Sequence, residues 1–129
     1  MDYLTWAKDF FAKDVYATET TGIEILDVDK QYAKCRLDIE SKHLNAGNVV
    51  MGGAIFTLAD FTFAIASNAG NDLTVTVSSN ICFLKPAKGD SLYAIAKCQK
   101  DGRKICYYDV EIFDDNDNIV ARATTIGAR

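Results

Sequence analysis

The segment Ala54–Ser67, AIFTLADFTFAIAS, constrains this chain more than any other feature. It is almost wholly apolar, contains no Gly or Pro, and is too long for a typical buried strand. It therefore predicts a helix that is apolar nearly all round, which belongs inside a protein rather than on its surface. Whatever else the chain forms must wrap around that helix. Asp60 is the exception within it. It lies too far along to cap the helix, and Asp is a poor residue for a helix interior because its side chain competes for backbone groups. A carboxylate in such surroundings needs a partner, a path to water or a shifted pKa, which marks it as a candidate for chemistry.

Gly52-Gly53 leads the polar loop His43–Val50 into this helix. A helix start offers free backbone N–H groups and the positive end of the dipole. Glycine there lets a ligand oxygen come close, which is how a carbonyl can be polarised as it becomes an oxyanion. Alone, the Gly pair reads more readily as a turn into a helix packed tightly on a sheet. With Asn45 before it and Asp60 after it, the chemical reading is preferred.

Around this centre, Asp2–Ala12 predicts a short amphipathic helix whose Leu4, Trp6, Phe10 and Phe11 make apolar contacts. Thr20–Val28 and Gln31–Ile39 predict two strands joined at Asp29-Lys30. In the second, Ala33, Cys35, Leu37 and Ile39 alternate with polar positions, the period of one wet and one dry face. After the helix, with Gly70 expected as its C-cap, four strands are predicted in meander order: 73–84, 91–99, 103–113 and 119–126. Asp101-Gly102 is a hairpin signal, and Cys106, Tyr108, Val110 and Ile112 share a face. In the first of the four, Thr74, Thr76, Ser78, Asn80 and Cys82 are expected on one polar face, turned either to water or to a polar site. About six strands around one helix make an α+β fold, read as one domain over residues 1–129.

With 129 residues, 49% of them hydrophobic, the chain has material for a proper core. A net charge of −4 argues against nucleic acid. No run is long and pure enough to span a membrane, and MDYLTWAKDFF lacks a signal-peptide layout, so a cytoplasmic location is expected. The four cysteines form no C-x-x-C pair, and one histidine is too few for a zinc site. Reduced, mostly buried thiols are expected, with neither metal nor redox cofactor.

HLNAGNVVMGGAIFTLAD resembles the signature of hotdog-fold acyl-CoA thioesterases of the phenylacetate-pathway type, roughly H-x-N-x-x-G-x-x-H-G-G-x-x-x-x-L-A-D. Asn45, Gly52, Gly53, Leu58, Ala59 and Asp60 match it, and Phe83–Asp90 fits the F-x-x-P-A-x-x-G-D pattern that accompanies it. Met51 stands where that pattern has His, and Asn48 where it has Gly. The resemblance implies a sheet wrapped around one helix, with a short N-terminal helix added. It also implies an acyl-CoA substrate whose carbonyl oxygen meets the Gly52 N–H while Asp60 activates water or attacks directly. Thr76 corresponds, by its spacing from Pro86, to a hydroxyl that bonds near the carboxylate. Asn45 is expected to hold the attacking water or the loop.

Met51, Gly53, Lys85 and Lys88 are candidate substrate contacts. The lysines, with Arg103 and Lys104 beside another turn, could meet the phosphates of coenzyme A. His43 reads as a loop residue. Two other readings remain at this point: an acyl-CoA-binding module that has lost hydrolysis, kept open by Met51, and a dehydratase or isomerase, which would want an Asp/His pair. Gly52 and Asp60 are eight positions apart, roughly 12 Å along one helix at ~1.5 Å per residue. One chain cannot easily present both to one carbonyl, so a homo-oligomer, a dimer or dimer of dimers, is expected.

Overall fold

A computed structural model describes residues 1–129. Helix α1, Tyr3–Phe10, is capped by Asp2, whose carboxylate accepts from the Thr5 N–H and hydroxyl. Its buried contacts come from Ala7 and, just beyond it, Phe11; Leu4 and Trp6 are partly buried, while Phe10 is exposed. A 3₁₀ turn, Phe11–Lys13, and a π-helical turn, Tyr16–Thr21, carry the chain to β1, Ile23–Asp29. Thr20 and Thr21 thus belong to a helical turn and not to the strand expected from residue 20. Gly22, at φ +89°, ends that turn where a side chain would be strained.

Strand β2, Tyr32–Asp38, leads through the loop to α2, Gly52–Asn68, whose C-cap is Ala69; Gly70, at φ +72°, is the residue after it. Strands β3, Val75–Phe83, β4, Ser91–Asp101, β5, Ile105–Phe113, and β6, Ile119–Ala128, complete an antiparallel sheet in the order β1-β2-β4-β5-β6-β3. The meander is therefore β4-β5-β6 only. Strand β3 pairs with β6 at the far edge, because the chain leaves the sheet after Leu84 and Lys85, whose N–H groups still bond the Val120 carbonyl of β6, and docks elsewhere: the Ala87 carbonyl accepts from Val50 N–H and the Asp90 carbonyl from Ile39 N–H. Those bonds replace a β3–β4 hairpin with a crossing past the start of α2.

The sheet curls around α2 because the positions facing it are small. Ala33, Ala94, Ala96, Ala121 and Ala123 are all fully buried, so the helix backbone sits close, and Leu58, Phe63 and Ile65 fill the remaining space. Phe63 packs edge-on to Tyr108 with centroids 5.3 Å apart. Cys106, Tyr108, Val110 and Ile112 are fully buried on one face, as their alternation requires. The thiols are less uniformly covered than expected. Cys35 and Cys106 are buried and Cys98 partly so, but Cys82 lies exposed on β3; all four are free. No helix is long and apolar enough to cross a membrane.

Tight packing yields a stability prediction. A Cβ on Gly127 would come within 2.8 Å of both Phe63 and Thr74 and 3.0 Å of Cys106. Gly127→Ala should lower the unfolding free energy by about 1–3 kcal/mol, the scale for overpacking a filled core. Urea denaturation checks it.

Candidate active site

The ends of α2 are held differently. At its start, the Met51 carbonyl accepts from Ala54 and Ile55 N–H, and no side chain caps the helix. The N–H groups of Gly52 and Gly53 are left without partners. Asn45 shapes the approach. Its Oδ1 accepts from the Gly47 N–H at 2.9 Å and the Val49 N–H at 3.3 Å, folding the loop back on itself.

His43 is buried with both ring nitrogens engaged. Nδ1 accepts from the Glu40 N–H at 2.9 Å, which leaves Nε2–H to donate to the Thr21 carbonyl at 2.7 Å. It pins the loop to the π-turn. Its carbonyl accepts from the Met51 N–H and so ties that pin to the helix start.

Asp60 is half-buried in the middle of α2 and accepts from the Thr76 hydroxyl at 3.1 Å. The sequence put Thr76 on one face with Ser78, Asn80 and Cys82; the strand does not. Thr76 pairs with Gly127 and Ser78 with Ile126, so Val77 is an extra residue, a β-bulge. The bulge turns Thr74 and Thr76 toward the helix together with Ser79, Ile81 and Phe83, and sends Ser78, Asn80 and Cys82 to the other side. Burial raises the Asp60 pKa; the Thr76 bond opposes the rise and the Asp14 carboxylate adds to it. Removing the Asp14 charge should favour ionised Asp60. Asp14→Asn should therefore move the acid limb of a kcat/KM profile that needs ionised Asp60 to lower pH, read directly from pH–rate data.

Strand β3 runs back along α2, so Phe83 reaches the helix start. A Cβ on Gly52 would lie 3.1 Å from the Phe83 ring. Two adjoining cavities follow the exposed stripe of α2. One, of about 270 Å³, lies at the helix start with Met51, Gly53, His43 and Thr57. The other, of about 330 Å³, holds Asp60 with Asp14, Val15, Phe61 and Ala64. Tyr16 and Thr57 line both. A larger concavity of about 450 Å³ lies on the outer face of the sheet against Lys34, Tyr93 and Phe113, away from α2.

These features match known proteins. The family model described as "Thioesterase superfamily" covers residues 47–121, from the loop before α2 into β6. The chain belongs to the thioesterase superfamily. It has the hotdog fold of that family and is a thioester hydrolase. The acyl-coenzyme A thioesterase PaaI of Escherichia coli K12 is 32% identical over 124 residues, covering 94% of this chain and 88% of its own. The E. coli PaaI structure superposes with a TM-score of 0.86 at 29% identity, over 98% and 95% of the two chains. A Streptococcus mutans UA159 protein solved bound to acetyl CoA gives 0.79 at 30% identity, over 82% and 86%. A hypothetical thioesterase protein with coenzyme A from Streptococcus pneumoniae TIGR4 gives 0.83 at 25% identity, over 92% and 94%.

The structure thus brings Asp60 to Thr76, and Asn45, Met51 and Gly53 to the helix start, but leaves Gly52 and Asp60 two helical turns apart. Lys85 faces Asp114 at 3.9 Å, and Lys88 lines a small cavity with Leu44 and Asn48 beside the same loop. Arg103 and Lys104 lie at the opposite end of the sheet, where the Arg129 side chain joins Gly102 to Thr74 near the C-terminus of α2. Phe83, Asp14 and Tyr16 were not among the expected site residues. Phe83 opens the F-x-x-P-A-x-x-G-D stretch; nothing in the sequence around Asp14 and Tyr16 sets them apart.

Proposed function

We propose that the protein hydrolyses acyl-CoA thioesters in sites that two copies of the chain share. The observation that carries this reading is the division of labour along α2: a hydroxyl-bonded carboxylate of raised pKa in the middle, and unpartnered glycine N–H groups at the start. A reacting carbon must lie within about 3–3.5 Å of its nucleophile and beside its oxyanion donors. A second α2, antiparallel, supplies the donors that the first cannot bring. Strand β3 supports the pairing, since it is a sheet edge with Val75 56% and Val77 61% exposed, the kind of edge that takes up another strand.

In this reading the thioester oxygen lies on the Gly52 N–H of one copy and the carbonyl carbon beside Asp60 of the other. Asp60 takes a proton from water as the new C–O bond forms, the C–S bond breaks, and the thiolate of coenzyme A leaves and is protonated. Direct attack by Asp60, through an anhydride that water then opens, gives the same products. Single turnover in ¹⁸O-water separates the routes by whether label enters Asp60. Thr76 holds the carboxylate in place, Asn45 holds the loop, and the phosphates of coenzyme A are assigned to Lys85 and Lys88, the latter next to the Ala87 that bonds Val50.

A panel of aryl-, short- and long-chain acyl-CoA esters, followed by release of free thiol, tests the assignment. Turnover of none above an Asp60→Ala background would leave a binding module instead. Light scattering that shows an active monomer would remove the shared site.

Met51 supports a modified contact. Its side chain is 54% exposed at the helix start, where it can pack against an apolar group but is at best a weak hydrogen-bond acceptor. Met51→His should raise kcat more than it lowers KM, because a bond that strengthens in the transition state acts mainly on kcat. Steady-state constants on the best substrate decide it.

A further inference from the structure

We propose that Tyr16 and Ala64 select the acyl group, and that the cavity beside Asp60 takes a neutral, apolar acyl chain or ring. The proposal rests on the reading of Asp60 as the group that acts on the thioester. Among the cavities along α2, this one alone contains Asp60, so it is the space this chain offers to the group attached to the reacting carbonyl. Its remaining lining is largely apolar, and its volume suits a small ligand group.

The two ends of the cavity are built differently. Phe61 forms a firm wall, fully packed and edge-on to Phe11 with centroids 5.7 Å apart. Ala64 follows Asp60 by one helical turn on the same stripe of α2, and its single methyl group leaves open the space that a larger residue would fill. Tyr16 is the opposite case. It projects from the π-turn, is 68% exposed, and lines both this cavity and the one at the helix start. Tyr16 borders both cavities together with Thr57 of α2, and its high exposure means that its ring is lightly packed. Removing the ring takes away the larger of the two side chains that border both cavities and so opens one toward the other.

Charge sets the second half of the specificity. Two carboxylates, Asp14 and Asp60, face the cavity, and no cation does. An acyl group ending in a carboxylate would bring a third negative charge into a partly desolvated space, where like charges repel strongly. Neutral acyl groups meet no such barrier.

The test is the profile of kcat/KM over butyryl-, octanoyl-, palmitoyl-, phenylacetyl- and succinyl-CoA for wild type, Tyr16→Ala, Tyr16→Phe and Ala64→Leu. Tyr16→Ala should raise the palmitoyl-to-butyryl ratio by about 10-fold or more, a size typical of a few methylenes gaining or losing a pocket. Ala64→Leu should move the same ratio the other way and lower phenylacetyl-CoA most. Tyr16→Phe should keep the wild-type order, since it keeps the ring and loses only the hydroxyl. Succinyl-CoA should be the poorest ester, and Asp14→Asn should improve it relative to butyryl-CoA. One unchanged profile across all the proteins would overturn the proposal. Calorimetric affinities of the same esters for Asp60→Asn proteins, with and without the Tyr16 and Ala64 changes, give the length preference without turnover. If no ester is hydrolysed, the thioesterase reading fails, and the affinities still decide whether this cavity holds the acyl group.

Discussion

Asp60→Asn should lower turnover by about 10²-fold or more, the scale of losing general acid–base help, while acyl-CoA binding survives. The substitution keeps the shape of the side chain and its place beside Thr76 and removes the base. Folding should move the other way. Burial holds the Asp60 carboxyl above its ordinary value of 3.8, so between that value and the raised one the folded chain binds more protons than the unfolded chain. Stability contributed by this site therefore falls as pH rises through that window and stays low above it. At neutral pH the Asn variant should melt no lower than wild type, and any advantage should disappear in acid below the ordinary carboxylate range. Wild-type turnover in Asp60→Asn would make Asp60 structural. A large loss of Tm together with activity would mean that the substitution damages the fold and not the chemistry.

Gly52→Pro should be nearly as damaging, for a reason confined to one hydrogen. Gly52 is the first residue of α2, where proline fits because its missing N–H has no helical partner. The preceding Met51 already has φ −61° and ψ 140°, the region that a following proline demands. The change thus removes the proposed oxyanion donor and keeps the helix, although Phe83 must yield a few tenths of an ångström. A fall in kcat of about 10²–10³-fold is expected, as for the loss of one such donor. The decisive result comes from mixing. If each site takes Gly52 from one copy and Asp60 from the other, a pair of one Gly52→Pro and one Asp60→Asn chain retains one intact site. Co-expression of the two inactive proteins should restore activity toward roughly a quarter of wild type for random pairing into dimers. No recovery, with mixed oligomers demonstrated by differential tags, would place both groups of each site in a single chain.

The helix and its burial were legible because both rest on local pattern, and so were its two candidate positions as candidates. A long apolar run without breakers can only be an enclosed helix, and Asp60 and Gly52-Gly53 are conspicuous against it. The β4-β5-β6 meander was legible for the same reason, through alternation and the Asp101-Gly102 turn. The place of β3 was not. Whether Val75–Phe83 pairs with the next strand or with the last depends on where residues 84–90 dock, and the bonds that decide it, from Val50 and Ile39, are to distant parts of the chain. Strict alternation also misassigned Ser78, Asn80 and Cys82, since no residue type announces a bulge at Val77. The Asp14–Tyr16 wall was invisible because an exposed tyrosine in a short connection has no periodicity to mark it.

The bulge in β3 also bears on how such chains should be compared. In a regular strand paired as β3 is at Ser79, the side chain opposite Gly127 would be that of Val77, and Asp60 would face two methyl groups. One additional residue exchanges them for the hydroxyl of Thr76. The partner of the carboxylate is thus set by a count of residues and not only by their identities. A homologue without the extra residue presents the same group to the same acid only if its hydroxyl-bearing residue directly precedes the position of Ser78, so an alignment here is judged by which residue stands opposite Gly127.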